Sequence, residues 1–229
     1  AYEADLADLY NILAVIYLNA QRFVESMEFC KSSLAIRKRL AKENPQDYES
    51  QLIQSYNNLA ILYKETQRIA ECEEMYKSVI DIYERLAKDN PKDFEPDLAE
   101  SYSNLAEMFL NSNRFEESEE MFKSALAIRE RLAKETPNAY EADLAETYNY
   151  LAFIFYNTKR ISDSEGMSKS ALAIRKRLAK ENPQDYEPQL IQSYNNLAVI
   201  YNETQRVAES EEMFKSALPI VERLAKENP

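Results

Sequence analysis

The sequence predicts an all-α solenoid, five antiparallel helix pairs stacked one on the next. Three observations predict it. The first is a repeat: aligned on itself, the 229-residue chain has a period of 46 residues without insertion. Tyr2, Tyr48, Phe94, Tyr140 and Tyr186 mark one phase, and Pro45, Pro91, Pro137, Pro183 and Pro229 mark another. The second is the scarcity of glycine, one residue in 229 against an average of roughly 7%. Sheets, bulges and phosphate loops need glycine; helices with short polar turns do not. The third is apolar spacing at 3 and 4 residues, which places side chains on one face of a helix.

The modules run 2–47, 48–93, 94–139, 140–185 and 186–229, as one array. Modules three apart match best: "RKRLAKENPQDYE" recurs in the first and fourth, "QLIQSYNNLA" in the second and fifth. A duplicated three-module block is the simplest origin. Ala1 aligns with Ala139 and the chain stops at its marker proline, so both ends are expected to be cut from a longer array.

Each first helix is expected to open after the proline, with Asp47, Asp93 and Asp185 as caps and Pro96 and Pro188 in the first turn. Its apolar stripe in the first module is Leu6, Tyr10, Leu13, Ala14 and Tyr17; the same face recurs as Leu52, Tyr56, Leu59, Ala60 and Tyr63. A polar turn follows, "AQR", "TQR", "SNR", "TKR" or "TQR". The second helix then runs from Phe23 to near Glu43. Acids crowd its start and bases its end, as the helix dipole favours, so the basic run "IRKRLAK" reads as a solvated helix end. Alanines in the first helices and serine or Cys72 in the second allow close approach. One such pair cannot bury its own apolar face, and stacking supplies the missing surface. Two departures are expected to weaken the array: Gly166 with Ser168 in the fourth module, and Pro219 within the last helix.

Charge narrows the function. The formal net charge is −12, which opposes nucleic acid and anionic membranes as partners. No apolar run reaches the ~20 residues of a membrane span. Cys30 and Cys72 read as buried thiols in a reducing, cytoplasmic setting. The chain has no histidine, no phosphate-holding glycine loop and no metal-ligand set, so neither catalysis nor a cofactor is expected.

Tyr–x–x–Leu–Ala–x–x–Tyr, a turn, a small residue, then an Ala-Leu or Ser-Leu pair resembles the tetratricopeptide repeat (TPR). The extra turns, with "NNLA" followed by "SALAIRERL", are similar to the elongated repeats of kinesin light chains and their bacterial relatives. The resemblance spans all five modules. It implies a right-handed superhelix whose first helices line a concave groove that binds protein or peptide.

By that resemblance the groove residues are Asn11, Val15, Asn57, Asn58, Ile61, Asn104, Asn149, Tyr150, Phe153, Tyr156, Asn195, Asn196 and Val199. An amide can pair with any peptide backbone, or with neighbouring helices and water. The apolar members form a ribbon that either holds a ligand or is covered by the next module. Lys64 is the only base on this flank, which disfavours acidic cargo and a clamp for a terminal carboxylate. The expected partner is a neutral or basic segment with an apolar anchor. The competing reading is an architectural array that stacks end to end through uncapped terminal modules.

Overall fold

The computed structural model describes residues 2–227. Ala1 and Pro229, both used above to phase the repeat, lie outside the described residues. Ten helices and no strand occur among those described: α1 (Tyr2–Asn19), α2 (Phe23–Glu43), α3 (Pro45–Glu65), α4 (Ile69–Asp89), α5 (Pro91–Asn111), α6 (Phe115–Glu135), α7 (Pro137–Asn157), α8 (Ile161–Glu181), α9 (Pro183–Glu203) and α10 (Val207–Glu227). The fold is an all-α repeat solenoid. The helices fall into two compact units, Ala1–Asn113 and Arg114–Pro229. Within each unit every helix packs against its sequence neighbours.

The buried columns follow the sequence stripe and widen it. Leu59, Leu105, Leu151 and Leu197 are fully buried, with Ala60, Ala106, Ala152 and Ala198 beside them. Leu62, Met108, Ile154 and Ile200 form a further buried column that the predicted stripe lacked. Small side chains close each helix pair by a direct bond. Ser26 Oγ donates to the Ala14 carbonyl at 2.8 Å, Ser164 to Ala152 at 2.7 Å and Ser210 to Ala198 at 2.9 Å. Cys72 Sγ does the same to Ala60 at 3.3 Å, which explains a thiol at a serine position. Burial pushes the Cys30 and Cys72 thiols up to about 11.

Five expectations are corrected. The first helices begin at the prolines, not after them. Pro45, Pro91, Pro137 and Pro183 occupy the first turn, where a missing N–H costs nothing. Asp47, Asp93 and Asp185 therefore lie inside the helix, and each accepts a hydrogen bond from the amide of the preceding Asn44, Asn90 or Asn182. Pro96 and Pro188 consequently sit in the helix interior. Leu6 and Leu13 of the first stripe are exposed (Leu13 by 36%) while their counterparts are buried, because among the described residues no helix precedes α1 to cover that face. Finally, the basic run is not wholly solvated: Arg37 is only 3% exposed, and Arg175 is also buried.

The turns between paired helices contain a feature not read from sequence. Gln21, Gln67, Asn113, Lys159 and Gln205 all have positive φ, 56° to 64°. Arg22 N donates to the Tyr17 carbonyl at 2.8 Å and Gln21 N to Leu18 at 2.9 Å, closing the last turn in a Schellman pattern without glycine. The following arginine then starts the next helix. Arg22 lies over the Tyr17 ring and pairs with Glu25; Arg160 lies over Phe155 and pairs with Asp163.

Candidate functional site

The amides predicted to form one row do not share one environment. Asn11 is buried, and its oxygen accepts from Asn58 Nδ2 at 2.5 Å. Asn149, with its amide oxygen turned to the guanidinium, accepts from Arg175. These three are engaged by neighbouring helices. Asn57, Asn104 and Asn196 are half-buried, and Asn195 is exposed.

The apolar members divide similarly. Val15, Ile61, Phe153 and Val199 are exposed, Phe153 by 53% and Val199 by 49%. Each points away from the buried Leu and Ala columns of its own helix, one residue past the close-packed alanine. Tyr150 instead lies flat against Phe122 of α6, with ring centroids 4.6 Å apart and an interplanar angle of 14°. Tyr156 is half-buried; its hydroxyl bonds to Glu203, which raises the phenol's pKa. Lys159 lies 3.8 Å from the same carboxylate.

Val15, Ile61 and their amides belong to the first unit. In the second unit, four of the predicted residues meet at one cavity of about 190 Å³. It is lined by Ala152, Phe153 and Tyr156 from α7, Ser164 from α8, and Asn196, Val199 and Ile200 from α9. A wider, open hollow of about 640 Å³ lies on α9 and α10, lined in part by Ile191, Asn195, Phe214, Leu218 and Val221.

Beneath the amides runs a layer that sequence reasoning missed. Arg37 Nη1 donates to the Gln51 carbonyl at 2.8 Å and to Ser55 Oγ at 2.9 Å, while Nη2 reaches Asp8 at 2.6 Å. Arg129 donates to Thr147 Oγ1 at 2.6 Å. Arg175 donates to the Gln189 carbonyl and Ser193 Oγ, each at 3.0 Å. Burial lowers the pKa of Arg175, with Glu146 opposing that effect. The signal was available in the sequence: an arginine 18 residues ahead of Ser55, Thr147 and Ser193. A planar fork is suited to clamp a carbonyl and a hydroxyl together. These guanidinium groups correct the view that Lys64 is the only base near this flank, though their charge is spent internally.

Among the described residues no group of acidic side chains and cysteines could hold a metal ion, and no helix is long and apolar enough to cross a membrane.

Models of the tetratricopeptide repeat match residues 51–131 in one form and 6–47, 144–185 and 190–229 in another. No curated protein sequence matches the chain. Among solved structures, BtubC (BKLC) from P. vanneervenii is similar with a TM-score of 0.74 at 25% identity, over 99% of this chain and 83% of that one. The nearly identical TPR-like repeats assigned to a kinesin light chain of Podosopora anserina superpose with a TM-score of 0.70 at 18% identity, over 97% of each chain. MamA superposes with a TM-score of 0.60 at 14% identity, over 98% of this chain and 97% of that one.

Proposed function

The chain belongs to the tetratricopeptide-repeat family, whose fold generally mediates protein–protein interaction, and we propose that it is a non-catalytic scaffold that binds a polypeptide along its first helices. The modules 2–47, 48–93, 94–139, 140–185 and 186–229 act in this reading as one array with a concave groove. The observation that carries it is the exposure of Val15, Ile61, Phe153 and Val199 at one step of the repeat, beside amides. A folded helix gains nothing by holding these side chains in water, and exposed apolar clusters mark binding surfaces. Exposed Glu65, Glu100, Glu146 and Glu203 give the same face acidic character, so a neutral or basic segment with an apolar anchor fits it. Buried free thiols agree with a cytoplasmic setting.

Calorimetry with matched basic and acidic apolar peptides tests the reading. The basic set is expected to bind, and Phe153→Ala to weaken it about tenfold, the cost of losing a central aromatic anchor. Stronger binding of the acidic set removes the charge argument. Indifference to Phe153→Ala removes the apolar one.

A second reading, end-to-end self-association, has its own observation. At the junctions α2/α3, α6/α7 and α8/α9, an arginine meets a serine or threonine. Leu9 stands at that hydroxyl's step in the first module and Val221 at that arginine's step in the last, and both are exposed. In this 229-residue polypeptide the two terminal faces thus replace a polar clamp by an apolar match. Sedimentation across a hundredfold concentration range decides it: Leu9→Glu should abolish any larger species, and a monomer throughout excludes this reading.

A further inference from the structure

We propose that the cavity between α7 and α9 is a socket for a single six-membered aromatic ring, supplied by a phenylalanine or tyrosine of the bound polypeptide. The argument comes from comparing two junctions inside the second unit. At the junction of α6 and α7, Phe122 and Tyr150 fill the space between second and first helix as a flat pair 4.6 Å apart. One period on, at the junction of α8 and α9, the same two places hold Ser168 and Asn196. Neither place holds a ring there, and of the two residues Asn196 lines the cavity. The backbone has not closed over the loss: about 190 Å³ remains open beside Asn196, walled by Phe153, Tyr156, Val199 and Ile200. An apolar cavity of ~150 Å³ is known to admit benzene, so one ring fits and two do not.

The polar groups at this junction differ from those elsewhere. Ser168 Oγ is 1% exposed and bonds to nothing, although buried hydroxyls are almost always paired. Asn196 lines the cavity, while its counterpart Asn58 donates to Asn11. A space of one ring's volume, walled mostly by apolar side chains and lined by Asn196 where Tyr150 stands one period earlier, suits an aromatic guest. The Tyr156 hydroxyl is already held by Glu203, and Lys159 stands beside that carboxylate, so this edge of the socket is fixed before a ligand arrives.

The source of the ring rests on the scaffold reading; the ring socket itself does not. The test separates them. Toluene and p-cresol are titrated into the intact chain while the signals of Phe153, Tyr156 and Val199 are followed by NMR, with cyclohexanol as a non-aromatic control. Saturable shifts confined to these residues are expected from both aromatic probes, and weaker ones from the control. Ser168→Phe places a ring where Phe122 stands one period earlier. It is expected to raise the melting temperature and to weaken p-cresol binding at least tenfold. Asn196→Tyr, at a half-buried residue that lines the cavity and is the counterpart of Tyr150, provides the direct block if Ser168→Phe does not fold. Absence of probe binding, or binding that survives both substitutions, overturns the socket. Peptides carrying one Phe or Tyr should compete with p-cresol. If the probe binds and no peptide competes, the scaffold reading fails and the ring socket stands.

Discussion

Gly166 stands on α8 where the other four modules carry glutamate, and a methyl group at that position would meet no atom within 4 Å. The backbone there is ordinary helix, so the glycine contributes only chain entropy to the unfolded state. Gly166→Ala is expected to stabilise the protein by about 0.5–1 kcal/mol. Urea titration should show a higher midpoint with an unchanged slope. Ser168, one half-turn on, has a different character. Its near-complete burial without a hydrogen-bond partner could not be read from sequence, where it looked only like a weak core residue. The same limit applies to Asn11 and Asn149. Their phase was legible, but an amide at a given phase faces water or a neighbour according to which side chain the adjacent helix places opposite. Asn11 meets Asn58, and Asn149 meets Arg175.

The turns and junctions decide more than the helices do. Each paired turn places a non-glycine residue at positive φ, and the αL backbone is costly for a branched side chain. Gln67→Val should destabilise by about 1–2 kcal/mol, while Gln67→Asn should be neutral or slightly stabilising, since Asn tolerates this region. Chemical denaturation of both variants gives the comparison. Between modules, Glu165 of α8 pairs with Lys169 on its own helix and with Arg206 at the start of the last helix. These partners hold its carboxyl below the ordinary value of 4.5, Lys169 first and Arg206 after it. A depressed folded pKa contributes stability above the unfolded pKa and loses it as pH falls through the folded one. The wild type should therefore lose stability from about pH 5 downward, and Glu165→Gln should lose less over that span. Parallel titration curves for the two proteins would remove Glu165 from the acid response. The i,i+4 half of this network was legible as charge spacing. The half that crosses modules was not, because a 41-residue separation carries no local signal.

Across the molecule, stability should decline toward the C-terminal helix. Only Ser210 and Ala217 are buried on α10, and Pro219 stands in its interior, where the Lys215 carbonyl lacks its usual donor. α4, by contrast, buries Cys72, Met75, Tyr76, Val79, Ile80 and Ala87. Amide hydrogen exchange in α10 is expected to be at least about tenfold faster than in α4, since opening α10 exposes little apolar surface. Equal protection would mean that α10 is held by something its buried side chains do not reveal. By itself the sequence determined the period, the ten helices, the polar turns and the family, because each follows from residue spacing within one module. Only the tertiary structure decided which amides are engaged by neighbouring helices, which apolar side chains stay in water, and where a cavity opens between α7 and α9. Those outcomes depend on what one module sets against the next, and a packing contact between residues far apart in the chain leaves no periodic trace in either one.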